Sequence, residues 1–90
     1  MIGSHSDIQG VQWPLVEPLE RAVEAVLRNA SPSWNVTIRG AESSLEVAAV
    51  SQGTYLTTRI LADTHAPAKV FRWLTGLIAG QATRSHSAAV

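Results

Sequence analysis

Ninety residues, 46% hydrophobic and 16% charged with a formal net charge of zero, describe one small globular domain and exclude a disordered chain. The absence of cysteine rules out disulfide staples and thiolate metal sites. Zero net charge argues against a dedicated nucleic-acid binder, because phosphate neutralisation dominates such affinity.

The charge is unevenly spread. Asp7, Glu17, Glu20, Glu24, Glu42 and Glu46 outnumber Arg21, Arg28 and Arg39 in residues 1–46, while Arg59, Lys69, Arg72 and Arg84 face only Asp63 in residues 47–90. The two halves therefore carry −3 and +3 and attract within the fold, or the basic half meets a partner or a second copy.

Taken in chain order, residues 1–11 are polar and lack sustained periodicity, so they read as a flexible tail. No basic region precedes an apolar run. The longest apolar stretch, 70–79, is about half a membrane span and contains Arg72, so the expectation is a soluble, cytoplasmic protein. The segment PLVEPLERAVEAVLRNA places Leu15, Leu19, Ala22, Val23, Val26 and Leu27 on one helical face. Pro18 lacks an N–H, which delays the regular helix to about Glu17. Glu17–Arg21 and Glu24–Arg28 are supporting pairs one turn apart.

WNVTIRG alternates Trp34, Val36 and Ile38 against Asn35, Thr37 and Arg39, the pattern of a half-buried strand. After a GAESS loop, LEVAAVSQGTYLTTRIL reads as a hairpin turning at Gln52-Gly53. Setting Ser51 against Thr54 puts Val50 opposite Tyr55, Ala48 opposite Thr57 and Glu46 opposite Arg59. The other face then matches Leu45, Val47 and Ala49 with Ile60, Thr58 and Leu56. One register thus supplies an ion pair on one face and an apolar layer on the other.

Asp63 or Thr64 caps a second helix entered through Pro67 and running to about Ala79, with Val70, Phe71, Leu74, Leu77 and Ile78 as its core stripe. Residues 82–90 read as a second tail, leaving a single domain over 12–81. The expected fold class is α+β: a two-layer α-β-β-β-α sandwich, a three-stranded antiparallel meander with both helices on one face.

Chemistry is sparse. No phosphate-binding glycine loop and no nucleophile elbow occur. His5 and His86 lie in the expected tails. His65, with Asp63 two residues away, is the one acid–base candidate and has no second group placed beside it by sequence. Glu17, Glu20 and Glu24 line a solvated helix face. No catalytic, cofactor-binding or metal-binding residues are assigned, and an enzyme is not expected.

Two surfaces exceed what a monomer needs. Val50 and Tyr55 form a cross-strand pair on the outer sheet face. On the second helix, Trp73, Gly76 and Gly80 form a strip beside the core stripe, flanked by Lys69 and Arg72. Two glycines spaced four apart let another backbone come close, either the first helix or another chain. The reading is a non-enzymatic protein–protein interaction module acting as a homodimer, an inhibitor or adaptor of a larger regulatory protein. Its binding residues are Trp73, Arg72, Lys69, Gly76, Gly80, Tyr55 and Val50. The alternatives are a nucleic-acid-binding accessory, which needs Arg39, Arg59, Lys69 and Arg72 on one face, and a small enzyme, which needs a pocket at His65.

Overall fold

The chain forms β1 (His5–Gln9), α1 (Val16–Leu27), β2 (Asn35–Ala41), β3 (Ser44–Ser51), β4 (Thr54–Leu61) and α2 (Ala66–Ala89). The computed structural model describes the backbone at residues 5–28, 30 and 33–89, and side chains at 6–28, 30 and 33–80. The strands lie in the order β1-β2-β3-β4 in one mixed sheet, and both helices pack on one face of it. The α+β sandwich is therefore as expected, with a fourth strand added.

That strand corrects the reading of 1–11 as a tail at residues 5–9, while residues 1–4 of that reading lie outside the described residues. His5–Gln9 pairs in parallel with Asn35–Arg39, and α1 supplies the crossover that a parallel pair requires. Its inward residue Ile8 packs against the core. Two glycines hold the junction: Gly10 turns the chain at φ +65°, and its carbonyl lies directly against Gly40 on β2. A Cβ on Gly40 would overlap the Gly10 carbonyl oxygen and stand 3.0 Å from the Val11 Cα, so no side chain fits there.

In α1, Pro18 falls within the first turn, where backbone N–H groups have no helical acceptor in any case. The ladder begins with Leu19 donating to the Leu15 carbonyl at 3.0 Å, and Leu19, Val23, Val26 and Leu27 face inward. The β2–β3 connection is tighter than the expected loop. Ala41 pairs with Ser44 across Glu42-Ser43, with Glu42 at φ +52°.

The β3–β4 hairpin has the register read from the sequence, from Ser51–Thr54 through Glu46–Arg59 to Ser44–Leu61. Positive φ at both Gln52 (46°) and Gly53 (84°) makes a type I′ turn, whose twist matches the strands it joins. The Glu46–Arg59 and Glu24–Arg28 pairs are not closed. Among the described residues, ion pairs within 4 Å are Arg21–Glu17 at 3.5 Å and Lys69–Asp63 at 3.9 Å. Exposed ion pairs of this kind contribute little whether closed or open.

The core is one cluster: Leu19, Val23, Val26 and Leu27 from α1, Trp34, Val36, Ile38, Leu45, Val47 and Ala49 beneath, and Ala66, Val70 and Leu74 from α2. Phe71, expected in that stripe, is 41% exposed instead. It lies on the flank of α2 turned toward α1, lining an apolar groove with Ala25, Val26, Thr75 and Ile78 rather than reaching the sheet. The backbone of α2 stays helical to Ala89, beyond the boundary expected near Ala79 and through residues read as a tail.

Candidate functional site

α1 packs over β1 and α2 over β4, so the two edges of the sheet are finished differently. On β3 the inward residues Leu45, Val47 and Ala49 are 0–1% exposed. On the neighbouring edge strand β4, the inward residues Thr54, Leu56, Thr58 and Ile60 are only half-buried. The core thins out before it reaches this edge.

Among the described residues no strand pairs with the other side of β4. A two-residue type I′ turn makes Ser51–Thr54 the closing hydrogen-bonded pair. Alternation then directs the N–H and C=O groups of Thr54, Leu56, Thr58 and Ile60 to β3, and those of Tyr55, Thr57, Arg59 and Leu61 outward. The strand is eight residues long, without proline, and its pairing with β3 runs unbroken over its whole length. Devices that normally blunt an edge (a proline, a bulge, an inward charge) are missing from this strand.

Its outer face is apolar at both ends. Tyr55 is 67% and Leu61 61% exposed, and Val50 lies opposite Tyr55. The expected Val50–Tyr55 pair is therefore in place, bordered by Thr37, Arg39, Glu46 and Ala48 around a shallow depression. Leu61 belongs to the same face and was not picked out from the sequence. The alternation that placed Tyr55 outward also places Leu61 there.

The strip on α2 is resolved in part. Trp73 stands two residues from Phe71, about 160° round the helix, so it occupies the flank away from α1. It is half-buried and packs against the core, so it contributes to the domain's own interior as well as to its surface. Gly76 and Gly80 lie on the same flank, and a Cβ built on either meets nothing within 4 Å. α1 therefore does not occupy the glycine groove. Lys69 reaches back to Asp63 in the β4–α2 connection, while Arg72 is exposed on the outer side of the helix.

The other candidates separate. Arg39 and Arg59 are on the outer sheet face, whereas Lys69 and Arg72 are in the helical layer, so the four bases do not share one face. His65 is exposed. Its backbone N–H donates to the Asp63 carboxylate at 2.9 Å, and its carbonyl accepts from the Lys69 N–H at 3.1 Å. Asp63 thus serves the helix entry, and the depressions described on the surface are lined by other residues. Among the described residues no three His, Asp or Glu side chains cluster as metal ligands, and no helix is long and apolar enough to cross a membrane. Trp13 is 88% exposed beside Pro14, Glu17 and Pro18, an isolated aromatic whose prominence the sequence pattern did not signal.

No family model matches the chain, and no curated protein matches it. Among solved structures, it is similar to the crystal structure of the Thermus thermophilus Protein Y N-terminal domain, at 13% identity and a TM-score of 0.46. That match covers 88% of this chain and 94% of that one.

Proposed function

We propose that this protein is a non-catalytic protein–protein interaction module that works as a homodimer and acts as an inhibitor or adaptor of a larger regulatory protein. The observation that supports it is the β4 flank, where an unprotected edge strand, a half-buried inner face and exposed Tyr55 and Leu61 coincide. Lys69, Arg72, Trp73, Gly76 and Gly80 on α2 and Val50 beside Tyr55 complete the binding surface. Aromatic and arginine side chains on a partly apolar surface have the composition of protein contacts. The split of Arg39 and Arg59 from Lys69 and Arg72 gives the nucleic-acid alternative no common basic face.

Light scattering on the purified chain at high micromolar concentration tests the reading. The expected mass is about 19 kDa, twice the 9.6 kDa of one chain. A mass near 10 kDa throughout would overturn the homodimer. A tagged chain should also retain a specific protein from its native cell, and that protein should be lost with Tyr55→Asp.

A further inference from the structure

Resting on the homodimer reading, we infer that two copies join β4 to β4 in antiparallel, centred on Thr58, to make one continuous eight-stranded sheet. Two-fold pairing of a strand with its own copy requires the residue numbers of each opposed pair to have one constant sum. The groups that point outward from β4 belong to Tyr55, Thr57, Arg59 and Leu61, so hydrogen-bonded pairs join odd-numbered residues and the sum is even. Three central registers satisfy this, with the dyad at Thr57, Thr58 or Arg59.

Side chains choose among them. Centring on Arg59 sets the two guanidinium groups directly opposite each other, which is repulsive. Centring on Thr57 leaves Leu61 facing Gly53 of the second copy and pairs Leu56 with Thr58. Centring on Thr58 sets Tyr55 against Leu61 of the second copy on the outer face, twice, and so covers the two exposed large apolar side chains of the strand. On the inner face it sets Leu56 against Ile60, also twice, and Thr58 against itself. Thr57 meets Arg59 with no like-charge contact. Apolar side chains meet on both faces in this register alone.

The dyad is perpendicular to the sheet, so both α2 helices lie on the same face of the joined sheet, side by side and antiparallel. Their facing flanks carry Trp73, Gly76 and Gly80. The half-buried Leu56 and Ile60 then lie inside a core continuous across the two copies.

The chain has no cysteine, so a single introduced one reads the register directly. At the dyad Thr58 sits in a non-hydrogen-bonded position, where opposed Cα atoms are about 4.5 Å apart and within disulfide range. Thr58→Cys in the full chain should form a covalent dimer under mild oxidation. Leu61→Cys should not, its two copies being roughly 20 Å apart along the strands. A second pair of variants is independent of oxidation. Thr57→Glu should tighten the dimer by about two- to thirtyfold, and Thr57→Lys should weaken it by a similar factor, because each places two charges opposite Arg59. If light scattering finds a dimer but Thr58→Cys does not cross-link, or both Thr57 variants weaken association, this register is overturned and the homodimer reading stands. A monomer in light scattering overturns both.

Discussion

Replacing Gly40 with alanine tests whether residues 5–9 are an integral strand. The added Cβ would overlap the Gly10 carbonyl oxygen and lie 2.8 Å from its carbon, against the 3.4 Å or more of ordinary contact. Both obstacles are backbone, so relief requires a shift of more than half an ångström in β1 or β2, or detachment of β1. Overpacking of a close-packed interior costs about 1–3 kcal/mol. Detaching β1 would expose Ile8, whose burial contributes about 1.5–3 kcal/mol at most. The cheaper route sets the loss, at about 1–3 kcal/mol. A domain of this length has roughly 5–13 kcal/mol in total. Urea unfolding followed by tryptophan fluorescence should show the midpoint falling by about 1–3 M, at a fixed protein concentration so that association does not move the reference. Gly10→Ala is the internal control. Its Cβ would stand 3.4 Å from the Gly40 carbonyl oxygen, an ordinary contact, so it carries only the left-handed backbone penalty of about 1–2 kcal/mol at φ +65°. Amide exchange should locate the larger effect, with β1 losing protection in Gly40→Ala ahead of β3. A Gly40→Ala midpoint equal to that of the parent, with β1 still protected, would refute the reasoning.

Trp73→Ala should lower stability by about 1–3 kcal/mol, because Trp73 is half-buried against the core, and should also weaken self-association. A loss of stability with an unchanged dimer constant in a light-scattering dilution series would assign Trp73 to the interior alone. Leu61→Asp should leave the unfolding free energy of the monomer within about 0.5 kcal/mol, since the side chain is 61% exposed, while shifting the mass toward one chain. Gly76→Ala and Gly80→Ala should each stabilise the monomer by roughly 1 kcal/mol, because the new methyl meets nothing within 4 Å. Thermal melts at low concentration measure that gain, and the dimer constant should not improve with it.

The hairpin was legible because three local signals agreed. Gln52-Gly53 suits a type I′ turn, the alternation of Leu45, Val47 and Ala49 has the period of a strand, and the match with Leu56, Thr58 and Ile60 allows one register. β1 carried no such signal. HSDIQ holds one large apolar residue, and its partner lies across the α1 crossover, so nothing nearby in the chain completes its pattern. Gly40 was the available clue, a glycine following the β-branched run Val36-Thr37-Ile38 where another backbone comes close. Phe71 was misplaced for a different reason. Hydrophobicity alone sets the centre of a helical stripe, whereas its width depends on how far α1 leans over α2. The far end of α2 has no apolar periodicity to mark its boundary. Of the candidate site, the Val50–Tyr55 pair followed from the register. The Trp73 flank could be named but not oriented, because its direction depends on which side of α2 receives α1.

The two sheet edges bear on why association would stop at two copies. A long regular strand such as TYLTTRIL, with one charge and no proline or glycine, is a template for further pairing when left open. A head-to-tail contact through it would leave another open β4 and propagate. Pairing β4 with β4 consumes both templates at once, since the same surface serves each side of the dyad. The edges that remain are the two β1 strands. Each has five described residues, runs parallel to its neighbour and is anchored by the Gly10–Gly40 contact, with α1 packed over it. An edge this short is a poor template, so in the proposed dimer pairing would end at β1. In the proposed dimer, the same strand that enlarges the sheet beyond a three-stranded meander would also limit its growth.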